Sequence, residues 1–320
     1  MKDLTLYSPI FGDMPVAVPC VKMSFYLTEP ASRCARGVAQ IIQLYAGLVP
    51  SGAIRGRVAW DDDDDEETYI VPFDIRDARL IEAEFQPQTF AGMEMYTAWL
   101  LGSESVQATG YSVTIKLSDT ETETKPDWLN YVELTLPLEL VKERTTTVKD
   151  LFVAVLGTVE CRSANCGLSL DFTTGVEPFI RADVNARLMR FIGLDGCYEH
   201  HHFSLGTKLP HVSWLTYSKA PGLTRLFDTP LETPDIGEAR SEVFAGGRLF
   251  QASALPALGN VNSGAEDLGA LPTLDRALAP FTVSDTSYFK WMDAELAERW
   301  VDRFRDVTSG PWDNTGLVPY

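Results

Sequence analysis

Three of the chain's four histidines stand together in Glu199-His200-His201-His202. Imidazoles beside a carboxylate are the side chains that hold zinc or nickel and relay protons. Adjacent residues on a strand point to opposite faces, so these four cannot all turn toward one ion. The run therefore reads as a polar loop or strand; no metal site and no catalytic residue is assigned to it. A Ser–His or Cys–His mechanism would have to draw its base from these residues or from His211. The sequence has no G-x-S-x-G elbow, no G-x-x-x-x-G-K-[ST] loop and no G-x-G-x-x-G turn, which leaves serine hydrolysis and nucleotide chemistry without visible machinery. The enzyme reading that survives is a site in which acids and His200–His202 converge only in three dimensions, and a deep pocket around them would favour it.

The second concentration of chemistry is Asp61, Asp62, Asp63, Asp64, Asp65, Glu66 and Glu67, seven acids in succession. Like charges at this density repel and must be solvated, so the run reads as an exposed acidic tip. It lacks the D-x-[DN]-x-[DN]-G spacing of an EF-hand loop, which argues against calcium. Two readings remain: a merely solvated loop, and clustered carboxylates offered to a basic cleft, where they would substitute for a phosphate backbone and speed association. The second makes Asp61–Glu67 the candidate partner-binding residues.

The whole chain leans the same way, with 27 basic against 45 acidic residues and a net charge of −18 over 320 residues. Such a field repels nucleic acid and anionic lipid and attracts basic partners. Hydrophobic residues make up 45% and charged residues 22%, the balance of a folded globular protein. No apolar run approaches the ~18 residues needed to cross a bilayer. The N-terminus, with Asp3, Pro9, Asp13 and Pro15, does not resemble a signal peptide. Cys20, Cys34, Cys161, Cys166 and Cys197 form no zinc-ligand pattern and read as free thiols, although spacing alone leaves a Cys161–Cys166 bridge open. A cytoplasmic protein with no cofactor is the expectation.

The elements that must carry these residues follow from periodicity. Val21–Leu27 reads as a strand, and Ala31–Leu48, between Pro30 and Pro50, as a helix with Val38, Ile41, Ile42 and Tyr45 on one face. Ile54–Trp60 and Tyr69–Val71 read as two strands joined by the acidic run. Alternation from Tyr111 to Leu117 and from Tyr131 to Leu136 predicts a hairpin. Thr147 would cap a helix over Val148–Cys161, followed by a strand at Leu168–Phe172 and a helix over Arg181–Phe191. Val212–Tyr217 reads as a strand, and Gly246-Gly247 as the turn between Glu242–Ala245 and Arg248–Gln251. Helices at Leu274–Leu278 and Lys290–Phe304 close the chain. Irregular interleaving with hairpins predicts an α+β fold of mixed or antiparallel sheets packed against helices. Residues 1–320 read as one unit, with 143–147 the place where a weak subdomain boundary would fall.

Three blocks carry a family likeness. Gly206-Thr207-Lys208-Leu209-Pro210-His211-Val212-Ser213-Trp214-Leu215-Thr216 resembles the glycine-to-WLT segment of bacterial type VI secretion immunity proteins, which leads into a short helix, here Gly222–Leu226. Pro256-Ala257-Leu258-Gly259-Asn260-Val261-Asn262-Ser263-Gly264 is similar to that family's P-x-L-G-D-x-N turn, with Asn260 in place of the acid. The aromatic helix Trp291–Phe304 is the third. In physical terms the glycines permit left-handed turns and Trp214 supplies a large buried anchor, so the blocks read as fold determinants. The resemblance implies an immunity protein that binds a cognate secreted toxin, a nuclease among the candidates, and blocks its active site without any reaction of its own. A secretion adaptor or chaperone that binds the same effector without inhibiting it is the third reading.

Overall fold

The computed structural model describes residues 4–7, 12–60, 68–103, 107–125, 127–172, 177–196, 205–229, 233–261, 268–284 and 292–304. Its axis is the strand β2 (Pro15–Leu27), to whose first half the short β1 (Leu6–Tyr7) pairs. Flanking β2 are β7 (Asn130–Pro137) and β8 (Cys161–Phe172). Beyond β7 the sheet continues through β6 (Ser112–Leu117), β5 (Tyr96–Leu101), β3 (Gly56–Trp60) and β4 (Thr68–Pro72). Beyond β8 lie β9 (Leu215–Ser218), β11 (Gly247–Gln251) and β10 (Arg240–Phe244). The strands of this eleven-stranded sheet pair antiparallel. With the helices against it, the chain is an α+β protein, as the hairpin signals indicate.

Alternation along β2 separates the two faces of the sheet. Val21, Met23, Phe25 and Leu27 join the main core with the helix α1 (Ala31–Leu48), which buries Val38, Ile41, Ile42 and Tyr45. Each of these side chains contributes on the order of 1.5–3 kcal/mol through burial. The helix α6 (Thr145–Leu156) reaches the same face through Phe152, whose ring centroid lies 5.3 Å from that of Phe25. Five further helices complete the first half and its join to the second: α2 (Ala78–Glu84), α3 (Pro87–Phe90), α4 (Thr120–Thr124), α5 (Leu138–Glu143) and α7 (Glu177–Arg190). A smaller core gathers Leu223 of α8 (Leu223–Asp228) and Leu274 of α9 (Leu271–Leu278) with Leu209, Phe250 and Phe304, the last just beyond α10 (Ala294–Val301).

Several elements differ from the sequence expectation for definite reasons. β2 starts at Pro15 rather than Val21, although proline lacks the amide that a central strand needs. The pairing resolves this: β7 begins to pair only at Cys20, so Pro19 faces β8 alone. The helix expected over Val148–Cys161 begins at Thr145 and ends at Leu156, where the amide of Gly157 closes the last turn on Val153 and Ala154. Thr147 sits inside it and caps nothing. β8 then begins at Cys161, seven residues before the predicted Leu168. Nearly every residue of β8 is buried, and a strand buried on both faces shows no alternation to read. Cys161 and Cys166 are free thiols on one extended strand, opposite Leu27 and Met23 of β2; those partners are four residues apart, about 13 Å at ~3.3 Å per residue, which is beyond disulfide reach. The last hairpin turns on Ala245 and Gly246, both at positive φ, because Gly247 already pairs with Phe244.

Candidate partner-binding surface

Asp61–Glu67 lie outside the described residues, but both of their anchors are placed. The run joins Trp60 to Thr68, the terminal pair of the β3–β4 hairpin, at the edge of the sheet. β3 is tied inward by pairing with β5 through Gly56↔Leu101 and Arg57↔Leu100. Gly56 is obligatory there: a Cβ would stand 2.5 Å from Ile70 Cγ2 and 2.6 Å from the Ser103 carbonyl. Arg57 forks onto Glu84 of α2, with Nη1 donating to Oε2 at 2.8 Å and Nη2 lying 2.6 Å from Oε1. The Tyr96 hydroxyl donates to the same carboxylate. Burial first, and then the Glu84 charge, push the Tyr96 phenol far above its usual range, so it stays protonated and remains a donor. The rings of Phe85, Phe90 and Tyr96 pack at 5.1–5.9 Å between centroids and complete a rigid base for the hairpin.

The histidine run His200–His202 also lies outside the described residues, as does Cys197. His211 does not. It is buried, with Nε2 2.7 Å from Asp195 Oδ2 and its ring edge-on to Trp300 at 5.8 Å. It packs against the polar face of the sheet, and its carbonyl accepts from Asn165 Nδ2 at 2.7 Å. Among the described residues no three His, Cys, Asp or Glu side chains come together in a way that could hold a metal. Burial pushes the Cys34 thiol up to about 12 and raises Cys20, Cys161 and Cys166 as well, so none offers a thiolate nucleophile near neutral pH.

The polar face of the central strands carries buried charges that were not singled out from the sequence. Lys22 Nζ lies 3.2 Å from Glu133 Oε1, and Glu133 also accepts from the Tyr131 hydroxyl, which meets Ser24 Oγ at 3.1 Å. Burial works against the Lys22 charge, but Glu133 and the neighbouring Cys20 and Asp195 outweigh it and hold the ammonium above its usual range. The signal was present: Lys22, Ser24 and Tyr26 alternate with Met23, Phe25 and Leu27. An amphipathic alternation normally marks a wet face; here segments 191–196 and 205–214 cover it, with Ser169 Oγ donating to the Asp195 carbonyl at 3.0 Å.

The three sequence blocks occupy structural positions. Trp214 is buried with Nε1 donating to the Ser253 carbonyl at 2.8 Å. Gly259 has φ +61°, and a Cβ there would meet Leu268 Cδ2 at 2.4 Å, while its carbonyl accepts from the Ile192 amide. Within the aromatic block, Trp300 is fully buried and Asp293 caps α10 by accepting from the Leu296 amide at 2.8 Å. These contacts make the blocks determinants of the fold.

The family model described as type VI immunity for VRR-NUC (TsiV) matches residues 51–304, from the end of α1 to the last described residue. The chain belongs to the TsiV family. The fold agrees with that of the Pseudomonas aeruginosa T6SS protein PA0821, with a TM-score of 0.72 at 15% identity over 99% of this chain and 95% of that one. No curated protein matches the chain significantly. The TsiV match contains the whole β3–β4 hairpin and all three blocks, so the likeness read in Gly206–Phe304 extends through most of the sheet. No helix among the described residues is long and apolar enough to cross a membrane.

Proposed function

We propose that this protein neutralises a nuclease toxin of the VRR-NUC type by binding it and covering its active site, with Asp61–Glu67 as the surface that meets it first. The family match is the observation that carries the reading, since the family is named for immunity against that class. Charge supports the contact. A nuclease must present a basic surface to a polyanionic substrate, and a chain of net charge −18 with seven consecutive acids is complementary to such a surface. The acidic run joins two strands whose base is locked by Arg57, Glu84 and Tyr96, which supports it as a presented element. An inhibitor of this kind acts by occlusion, needs no cofactor and no reaction, and works in the cytoplasm where the toxin's substrate lies. A lethal enzyme requires tight binding and an interface of at least standard size, ~1,200–2,000 Å² in total.

The test is the pair. The purified protein and the nuclease encoded beside it should co-elute on gel filtration, and co-expression should rescue cells from the toxin. Mixing should abolish DNA cleavage at equimolar protein. Failure to co-elute, or rescue without binding, would overturn the reading.

A further inference from the structure

The eleven-stranded sheet ends in two edge strands, β4 and β10. An unpaired edge is a row of backbone donors and acceptors that another strand can join, and proteins blunt it with charge, proline or bulges. β4 is blunted in this way, since Pro72 ends it and seven acids precede Thr68. β10, Arg240-Ser241-Glu242-Val243-Phe244, contains no proline and pairs with β11 in an unbroken register. Its two charges are of opposite sign. Among the described residues, β11 is the only strand that pairs with it.

The hairpin turn fixes which groups face outward. Ala245 and Gly246 have φ of 44° and 78°, a two-residue turn of type I′, in which the flanking Phe244 and Gly247 hydrogen-bond to each other. Bonded and unbonded pairs alternate along an antiparallel ladder, so Glu242 and Arg240 also spend their backbone groups on β11. The far side of β11 agrees. The Ala252 amide donates to the Trp214 carbonyl at 2.9 Å, which turns Arg248 and Phe250 toward β9 and leaves Leu249 and Gln251 for β10. Ser241 and Val243 therefore direct their N–H and C=O groups away from the sheet. Val243 is 62% exposed. Arg240 and Glu242 are exposed as well, and neither forms an ion pair among the described residues.

The charges select the occupant. Arg240 and Glu242 stand two residues apart on one face of the strand. Two copies of β10 laid antiparallel, Ser241 against Ser241, place each Arg240 opposite the Glu242 of the other copy, in the unbonded pairs where side chains come closest. In the same register the two Ser241 residues exchange a pair of backbone hydrogen bonds, and each Val243 amide meets the Ala239 carbonyl of the other copy. Pairing Ser241 with Val243 instead sets Glu242 against Glu242, and like charges directly opposite are destabilising. A further step sets Arg240 against the turn at Gly246.

We infer that a second copy of this chain pairs with the outer edge of β10 and joins two sheets across a two-fold axis. β4 lies at the opposite end of the sheet, so the contact is separate from the acidic hairpin and does not depend on the toxin reading. The net charge of −18 on each copy opposes association, but at physiological ionic strength a Debye length of about 8 Å screens all but the local charges. A one-strand contact is smaller than a standard interface, and the dimer is correspondingly weak, with a Kd on the order of 10–100 μM.

Sedimentation equilibrium of the full chain from about 5 μM to about 500 μM tests it. The mass should rise with concentration from one chain toward two. Arg240→Glu and Glu242→Arg each turn two attractive pairs into repulsive ones and should each weaken the dimer about tenfold or more. An equimolar mixture of the two variants should restore association, as should the double variant, because both rebuild opposite charges across the axis. Val243→Pro removes an amide that β11 does not use. It should abolish the dimer and leave circular dichroism and melting temperature at the lowest concentration near wild type. A chain that stays monomeric throughout overturns the inference, and so does a dimer that ignores the single charge changes or is not restored by their mixture. Two other occupants give their own signatures. A melting temperature lowered by Val243→Pro in a monomeric chain would mean that the chain's own residues cover the edge. Lost toxin affinity in that variant, with wild type monomeric, would give the edge to the toxin. Either result overturns the dimer.

Discussion

Asp119 shows how one carboxylate can start a helix to which it does not belong. α1 begins after Pro30 with no side-chain cap of its own and no acid in its first turn. Asp119 supplies both from a distance: Oδ1 accepts from the Ser32 amide at 2.9 Å and from Ser32 Oγ at 2.5 Å, while Oδ2 accepts from the Gly92 amide at 2.9 Å. Burial by itself would raise the Asp119 carboxyl, but these hydrogen bonds outweigh it and hold it below its usual 3.8. A depressed carboxylate stabilises the fold at every pH above its unfolded value and loses that contribution as pH falls toward the folded one. Asp119→Asn should therefore cost about 1–2 kcal/mol at pH 7, the scale of a lost cap. The gap from wild type should begin to narrow below about pH 4 and close only once the pH has fallen below the depressed value of the folded carboxyl. Urea denaturation at pH 7 and at a series of pH values from about 4 down to about 2 measures this, and a gap that does not narrow as the pH falls would sink the account. The Lys22–Glu133 pair is the harsher case, since both partners are buried. Glu133→Gln removes the carboxylate in direct contact with a buried ammonium, a change expected to cost about 3–5 kcal/mol in the same assay.

At the scale of elements, the hairpin β3–β4 connects sequence to proposed function. Its Gly56 is fixed by contact, and Gly56→Ala must push Ile70 and the Ser103 carbonyl apart; a loss of about 1–3 kcal/mol is expected, read as a lowered melting temperature. The acids between the strands should behave oppositely. Replacing Asp61–Asp65 with Asn changes the net charge from −18 to −13 and leaves stability near wild type. Association with the toxin should slow at low salt, and the difference should vanish near ~0.5 M, where the Debye length is roughly 4 Å. Equal association rates at low salt would make the acidic run a solvated loop. Both ends of the hairpin and its acidic run were legible in the sequence, because seven acids between two apolar runs admit few other readings. What locks it was not: Arg57 reaches Glu84 and Tyr96, 27 and 39 residues onward, and no local pattern encodes that. α1 matched its predicted limits since Pro30 and Pro50 bracket an uninterrupted apolar face. β5 and α2 went unread. Tyr96–Leu101 carries Trp99 and Leu100 side by side, and α2 has a single buried residue, Ile81, so neither repeats a period clearly.

The order of the strands makes a claim about the whole molecule. β2, from the first thirty residues, lies between β7 and β8, which stand on either side of residues 143–147. The TsiV match begins at residue 51, so the strand at the centre of the sheet precedes the matched region. A boundary at 143–147 that could open would have to split β2 from one neighbour, breaking either the eight-residue register with β7 or the longer one with β8. The main core crosses the same line, running from Leu4 through Phe152 to Trp300. We therefore propose that the chain unfolds as one cooperative unit. Far-ultraviolet circular dichroism and tryptophan fluorescence should give coincident urea transitions, with Trp99 and Trp128 reporting on one side of the boundary and Trp214 and Trp300 on the other. Phe25→Ala removes a ring that is fully buried and packed on Phe152. Its cost should be about 3–5 kcal/mol, and both probes should move together to lower urea. If the fluorescence of Trp214 and Trp300, isolated by replacing the other tryptophans with phenylalanine, keeps its midpoint while the circular dichroism shifts, the second half folds independently and the single unit is wrong.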